Sequence, residues 1–151
     1  MTTIAYRDGI LAGDGRVTEI EERESSYVLH DNDIKVFKLK DGRLYGGSRS
    51  SEDILRLYYS LVNNTPPPKL EDINALLVDT KGKLYLYEGH LWQPLSDLYY
   101  AVGSGSRFAF PALDAGATAI EAVKIGIKRD PYSGGKITVV RLNYGKVRKS
   151  H

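Results

Sequence analysis

The sequence predicts an α+β domain built on antiparallel sheets. Three observations lead there. Hairpin patterns lie towards both ends of the chain, and helical patterns are grouped between them. The 151 residues, 42% apolar and 26% charged, have an ordinary globular composition and the length of one domain.

The elements follow in order. Thr3 to Tyr6 is a short extended run, Asp8-Gly9 turns it, and Ile10 to Ala12 returns beside it. The stretch from Glu19 to Glu24 reads as a solvated edge or loop. Ile34 to Leu39 alternates apolar and basic residues, Asp41-Gly42 turns the chain, and Arg43 to Tyr45 makes a second hairpin. Ser50-Ser51-Glu52-Asp53 gives a hydroxyl cap with acids in the first turn, and Ile54, Leu57, Tyr58 and Leu61 then form one helical face. Asn63-Asn64 and Pro66-Pro67-Pro68 stop that helix. Ile73 to Val78 and Lys83 to Tyr87 are strands around Lys81-Gly82, and Leu98 to Val102 is another. Gly103-Ser104-Gly105-Ser106 leads into an apolar helix that Pro111 should kink. Thr118 and Glu121 are spaced as a capping box for a last helix to about Lys128. Ile137 to Leu142 is a closing strand, and residues 144–151 are a basic tail on what reads as a single domain over 1–151.

Composition excludes several classes of function. Zero cysteines remove disulfides, thiolate metal sites and a cysteine nucleophile. His30, His90 and His151 are far apart and form no H-x-x-x-H pair, which argues against a zinc enzyme. A net charge of +2 is too balanced for a domain that works on phosphate backbone, and only Lys146, Arg148 and Lys149 cluster. No run approaches a membrane span and no secretory signal opens the chain, so a cytoplasmic protein without membrane or nucleic-acid partners is expected.

Position 2 carries chemistry. Removal of Met1 before a small residue would leave Thr2 with a free α-amine, so that one residue supplies both nucleophile and base. The reference pKa of that amine, about 7.7–8.0, leaves part of it unprotonated near neutrality. Beyond it, Ala12-Gly13-Asp14-Gly15, Lys35-Val36-Phe37-Lys38-Leu39, the pair Gly46-Gly47, Gly103-Ser104-Gly105-Ser106 and Arg129-Asp130-Pro131-Tyr132-Ser133-Gly134-Gly135 follow in order. Taken singly each has a commoner use: Gly-Asp-Gly as a turn, a strand lysine as a solvated charge, serines as caps.

As an ordered set these motifs resemble the proteasome β-subunits and the bacterial peptidase HslV, which are N-terminal-nucleophile threonine peptidases. The resemblance runs from Thr2 to about Leu142. It implies a four-layer αββα sandwich with two antiparallel sheets and a threonine-type endopeptidase enclosed in a ring of like chains. It assigns Thr2 as nucleophile and base, Lys35 as the ammonium beside it, and Asp14 as the acidic partner of Lys35. Gly47, or Gly46 by spacing, would supply the oxyanion-hole N–H. Ser104, Asp130 and Ser133 would surround the threonine amine, Thr18 would pair with an extended substrate, and Tyr45 would floor the specificity pocket or pack in the core.

No cofactor is implied beyond a structural monovalent or divalent cation near Asp130 and Ser133. Partners would be a peptide or unfolded protein, further copies of the chain in a ring, and at most a poorly matched ATP-driven unfoldase. Only eight residues, Thr65 to Asp72, stand where the family carries a second helix, so that helix should be missing or reduced to a turn. A non-catalytic ring subunit keeping the fold as scaffold is the alternative, and a small-molecule amidase is a third.

Overall fold

The structure is a computed structural model, and it describes residues 2–20 and 26–143. The first hairpin joins β1 (Ile4–Arg7) to β2 (Ile10–Gly13). Asp8 and Gly9, at φ 50° and 81°, make a two-residue turn with both residues left-handed, whose twist matches the strands it joins. β3 (Val17–Ile20) and β4 (Ser26–His30) form a separate two-stranded ribbon. Of the Glu-rich stretch read as a solvated edge or loop, Glu19 and Ile20 lie in this ribbon, while residues 21–24 lie outside the described residues.

β5 (Val36–Lys38), β6 (Leu44–Arg49), β7 (Ile73–Val78), β8 (Leu84–Glu88) and β9 (Leu91–Pro94) form a five-stranded antiparallel sheet in chain order. β10 (Tyr99–Val102) and β11 (Thr138–Arg141) complete a four-stranded antiparallel sheet in the order β10-β1-β2-β11. The expected strands are present with ends unmoved or moved by one or two residues, except that β6 runs four residues past its expected end, and β9 is an addition. It is an edge strand, where Pro94 costs no ladder bond.

Among the described residues three helices complete the fold. α1 (Ser51–Val62) is capped by the Ser50 side chain, which accepts from the Asp53 N–H. α2 (Ser106–Asp114) contains Pro111 and runs on three residues past it. α3 (Ala119–Arg129) opens on the full capping box of Thr118 and Glu121. Between α1 and β7 there is no helix. A proline strap crosses instead, and the Tyr87 hydroxyl pins it, contacting the Pro68 and Gly89 carbonyls and accepting the Leu70 N–H at 2.8 Å.

Three apolar clusters stack these pieces into layers. Ile4, Tyr6 and Leu11 of one sheet meet Val36, Leu44, Leu76 and Val78 of the other in a shared core. α1 covers the outer face of the five-stranded sheet through Ile54, Leu57 and Leu61, packed with Tyr45, Leu77 and Tyr87. α2 and α3 cover the four-stranded sheet, with Leu113, Ala122 and Val123 against the small side chains of Ala5, Ala12 and Ala101. The alanines let the helices approach closely, so strand β1 and the residues before it are buried on both sides.

Candidate active site

Thr2 and Thr3 lead into β1 and are all but inaccessible. Their backbone is held at almost every polar atom. The Thr2 N–H donates to Ser104 Oγ at 3.2 Å, and the Thr2 carbonyl accepts the Gly105 N–H at 3.0 Å. The Thr3 N–H donates to Asp14 Oδ1 at 3.0 Å, and its carbonyl accepts the Asp14 N–H at 3.1 Å.

Asp130 ends α3 and organises the hydroxyls. Ser104 and Ser133 both donate to its Oδ2, at 2.5 and 2.7 Å, and the Tyr132 N–H donates to Oδ1 at 3.2 Å. Because the Ser133 proton is committed to Asp130, the 2.7 Å contact between Thr3 Oγ1 and Ser133 Oγ has Thr3 as donor. A directed chain therefore runs Thr3 to Ser133 to Asp130. These hydrogen bonds already engage both oxygens of Asp130. Among the described residues no group of three or more His, Asp or Glu side chains could hold a metal. Of the cation site expected near Asp130 and Ser133, Asp130 is the one carboxylate, so any further ligands would be hydroxyl or backbone oxygens.

Asp14 is the second organiser, with no side-chain exposure. It accepts Lys35 Nζ at 3.1 Å and the N–H groups of Thr3, Gly134 (2.9 Å) and Arg16 (3.4 Å). Lys35 also donates to the Arg16 carbonyl at 2.6 Å. Burial pushes the Lys35 ammonium pKa down from its ordinary 10.5, and the Asp14 carboxylate opposes that shift. An ion pair this deep survives because its remaining hydrogen-bonding groups are satisfied.

Thr2 and Lys35 share a small cleft of ≈ 40 Å³, with Thr18, Arg49 and Ile54 on its other walls. Thr18 Oγ1 is buried with no hydrogen-bond partner among the described residues. Arg49 ends β6 at φ 85°, a left-handed conformation that costs a bulky residue about 1–3 kcal/mol.

The two candidate glycines of β6 face different ways. A Cβ on Gly46 would meet Ile4, Val36 and Leu11 in the core between the sheets. One on Gly47 would meet Ile54, a wall of the cleft, and the Tyr45 hydroxyl. Gly47 is therefore the glycine on the Ile54 side, and its N–H donates to the Lys35 carbonyl at 3.1 Å. Tyr45 is wholly buried in the aromatic cluster with Phe37, Tyr58 and Trp92, and its hydroxyl donates to the Ile54 carbonyl at 2.8 Å. Of its two expected placements it takes the core one, behind Ile54. Thr2, Thr18 and Lys35 line the cleft; Asp14 and Gly47 are hydrogen-bonded to Lys35, and Ser104, Asp130 and Ser133 form one hydrogen-bonded set behind Thr2 and Thr3, whereas Met1 lies outside the described residues.

Sequence reasoning missed the supports. A Cβ on Gly105 would fall 1.7 Å, and one on Gly126 2.4 Å, from Thr3 Oγ1, so both positions require glycine for Thr3 to fit. Gly126 had a signal, since glycine inside an amphipathic helix is unfavourable without a packing reason. Arg16 lies against Gly134 and forms a two-point contact with Asp31, at 2.9 and 3.3 Å, that ties the loop after β2 to the end of the ribbon. That contact holds the Asp31 carboxyl below its ordinary range.

The class these features define is an α+β fold of helix–sheet–sheet–helix layers with buried threonines leading into its first strand, and comparison with known proteins finds the same fold elsewhere. The chain is distantly similar to proteasome β-subunits and to the peptidases HslV and BPH. It is 34% identical over 83 residues to proteasome subunit beta 2 of Pyrobaculum neutrophilum, a match covering 48% of this chain and 41% of that one. Against proteasome subunit beta 1 of Pyrobaculum aerophilum it is 29% identical over 184 aligned positions, covering 93% and 89%. The similarity to the first thus spans less than half of that relative's length, and to the second most of it. No family model matches the chain. Thiobacillus denitrificans BPH in complex with epoxomicin superposes with a TM-score of 0.63 at 19% identity, covering 94% of this chain and 98% of that one. Eukaryotic HslV from Trypanosoma brucei gives 0.67 at 17%, covering 92% and 97%. At those identities the structures show the shared fold.

Proposed function

We propose that this protein is a threonine-type endopeptidase whose nucleophile is Thr2, freed by removal of Met1. The observation that carries the reading is the convergence at Thr2. Its nitrogen lies 3.2 Å from a serine hydroxyl bonded to a buried aspartate, and its side chain shares a cleft with a buried lysine. Once free, that nitrogen is an amine. It takes the proton from Thr2 Oγ1 as the oxygen attacks a peptide carbonyl, then gives it to the departing amine, leaving an ester on Thr2. Water, deprotonated by the same amine, hydrolyses the ester and restores the threonine. The Lys35 ammonium favours the developing alkoxide electrostatically, and Asp14 keeps that ammonium charged and aimed.

The substrates on this reading are peptides or unfolded proteins, cut inside a cytoplasmic ring of like chains. Phe108, Phe110, Ile125 and Ile127 leave partly exposed apolar surface on α2 and α3 for that association. With a strap in place of the second helix, an HslU-type unfoldase should stimulate poorly. Light scattering at micromolar concentration should show an oligomer, and a stable monomer would refute the ring.

One observation favours the non-catalytic alternative. The Gly47 N–H, the expected oxyanion donor, is engaged by the Lys35 carbonyl at 3.1 Å. Catalysis needs that bond to be shared with, or yielded to, the substrate oxygen. The deciding experiment combines intact mass with reaction by a threonine-directed epoxyketone. A catalytic chain lacks Met1 and gains the inhibitor's mass at Thr2, whereas a scaffold chain does neither.

A further inference from the structure

We propose that Arg16 and Asp31 are positioning residues for the site: their two-point contact holds the Arg16 carbonyl against the Lys35 ammonium and so aims that ammonium at Thr2. This rests on the peptidase reading above and adds a control point outside the residues that the family resemblance assigns.

The two residues lie on the two chain segments that meet at Lys35. Arg16 follows Asp14 in the loop after β2 and carries an acceptor, since Lys35 Nζ donates to its carbonyl at 2.6 Å. Asp31 begins the link from β4 to β5, four residues before Lys35 itself. Arg16 Nε and Nη2 reach the Asp31 carboxylate at 2.9 and 3.3 Å. The fork therefore joins the residue bearing the acceptor to the segment bearing the donor.

Glycines make room for the fork. The Gly15 N–H donates to the Gly134 carbonyl, the Asp33 N–H to the Gly15 carbonyl and the Lys136 N–H to the Asp31 carbonyl, each at 2.9 Å. A Cβ on Gly15 would fall 2.6 Å from the Asp31 and Lys136 carbonyl oxygens, and one on Gly135 2.3 Å from the Asp31 oxygen. One on Gly134 would fall 2.4 Å from Arg16 Cζ, so the guanidinium rests directly on that backbone. Three segments thus cross with no room for a side chain between them, and the fork spans two of them.

Stability does not account for this arrangement. The Arg16 and Asp31 side chains are 26% and 41% exposed, and pairs so open to water add little to folding. What a two-point guanidinium–carboxylate contact adds is direction. Arg16 needs it, because its own N–H reaches Asp14 Oδ2 only at 3.4 Å. Without the fork its carbonyl is free to swing, and a displacement of about 1 Å away from the chemistry can cost about 10²-fold in rate.

The test uses the processed protein, a fluorogenic peptide and the variants Arg16→Met, Arg16→Lys, Asp31→Asn and Arg16→Met with Asp31→Asn. Arg16→Met and Asp31→Asn should each lower kcat by about tenfold or more, with KM within about twofold and the melting temperature nearly unchanged. The double variant should lose no more than the worse single one, because both break the same contact. Arg16→Lys, which keeps the charge without the fork, should recover only part of the rate. The pH profile supplies the decisive sign. The charged groups around Lys35 are Asp14, Asp31 and Asp33, with Arg16, Arg49 and the Thr2 amine as neighbouring cations. Removing the Arg16 cation would, by charge alone, raise the Lys35 pKa and move the alkaline limb of kcat to higher pH. A misplaced carbonyl instead costs the ammonium an acceptor, so Arg16→Met should move that limb to lower pH. A limb that stays or moves up, losses that multiply in the double variant, or an effect on KM alone would overturn this inference while leaving the peptidase reading intact. No turnover by the wild type, with no epoxyketone adduct on Thr2, would overturn both.

Discussion

Asp14 lies 3.1 Å from Lys35 and also receives the backbone N–H of Thr3, so one buried carboxylate fixes both the cation of the site and the strand that presents the proposed nucleophile. Positioning and electrostatics are thereby coupled. A change at Asp14 moves the threonine and uncages the ammonium in one step, which sets up the first contrast among variants.

Asp14→Ala should be severely destabilising. Removing one partner of a buried pair leaves an uncompensated charge, typically costing about 3–5 kcal/mol, and here three backbone N–H groups lose their acceptor as well. Asp14→Asn keeps the shape and should fold, yet lose most peptide hydrolysis. Denaturant unfolding beside an activity assay separates the two outcomes. Near-native rates in Asp14→Asn would move catalysis elsewhere.

Lys35→Arg should fold poorly or work poorly, because the buried pocket at 4% exposure fits a compact ammonium and not a planar guanidinium. Loss of a preorganised charge should lower kcat by about 10²–10³-fold. Thr2→Ala should abolish hydrolysis while the melting curve stays unchanged. Full activity in Thr2→Ala would show that the nucleophile is another group.

Gly126→Ala tests the support under Thr3. The added methyl would lie 2.4 Å from Thr3 Oγ1, so α3 or the strand start must shift, an overpacking worth about 1–3 kcal/mol. Activity should fall further than stability, since Thr2 moves with its neighbour. Gly116→Ala is the control: at φ 102° it is strained, but its methyl meets nothing within 4 Å, so only a modest stability loss and full activity are expected.

The pH dependence should show opposite trends in rate and stability on the alkaline side. The rate requires the Thr2 amine unprotonated and Lys35 protonated. It should rise through the amine's pKa and fall again below 10.5, because burial lowers that of Lys35. For stability the sign reverses. Between the folded value of Lys35 and 10.5, the unfolded chain binds the proton more readily than the folded one, so this residue's contribution rises with pH. Tyr6, pushed up to about 12 by burial, contributes a fall over the range above 10.0. Comparing unfolding of the wild type with Lys35→Met cancels the tyrosine contribution and isolates the lysine slope.

What the sequence disclosed followed the range of its signals. The turn at Asp8-Gly9, the Ser50 cap and the Thr118–Glu121 box each lie within a few residues, and each formed where expected. β9 was missed because it is four residues long and rests on pairing with β8, although Gly89 at φ 69° marks its turn. The ribbon of β3 and β4 was missed because glutamates dominate the connection between its strands. For the site, local pattern offered only weak hints: Thr2, Asp14, Lys35, Ser104 and Asp130 come from five separate stretches, and an ordered family resemblance linked them. The contacts of Thr3 with Gly105 and Gly126 are long-range facts that spacing does not encode.

The Tyr87-pinned strap has a consequence for how much chain this architecture tolerates. Its anchor is a side chain of the five-stranded sheet, so the entry into β7 is fixed without help from whatever precedes Pro66. Lengthening a flexible connection costs only about 0.6 kcal/mol per doubling, so the junction at Asn64 and Thr65 should accept a grafted segment as a passenger. Guest helices or tags introduced there would sit on the α1 side of the molecule, and the threonine on its separately held strand would not register their arrival.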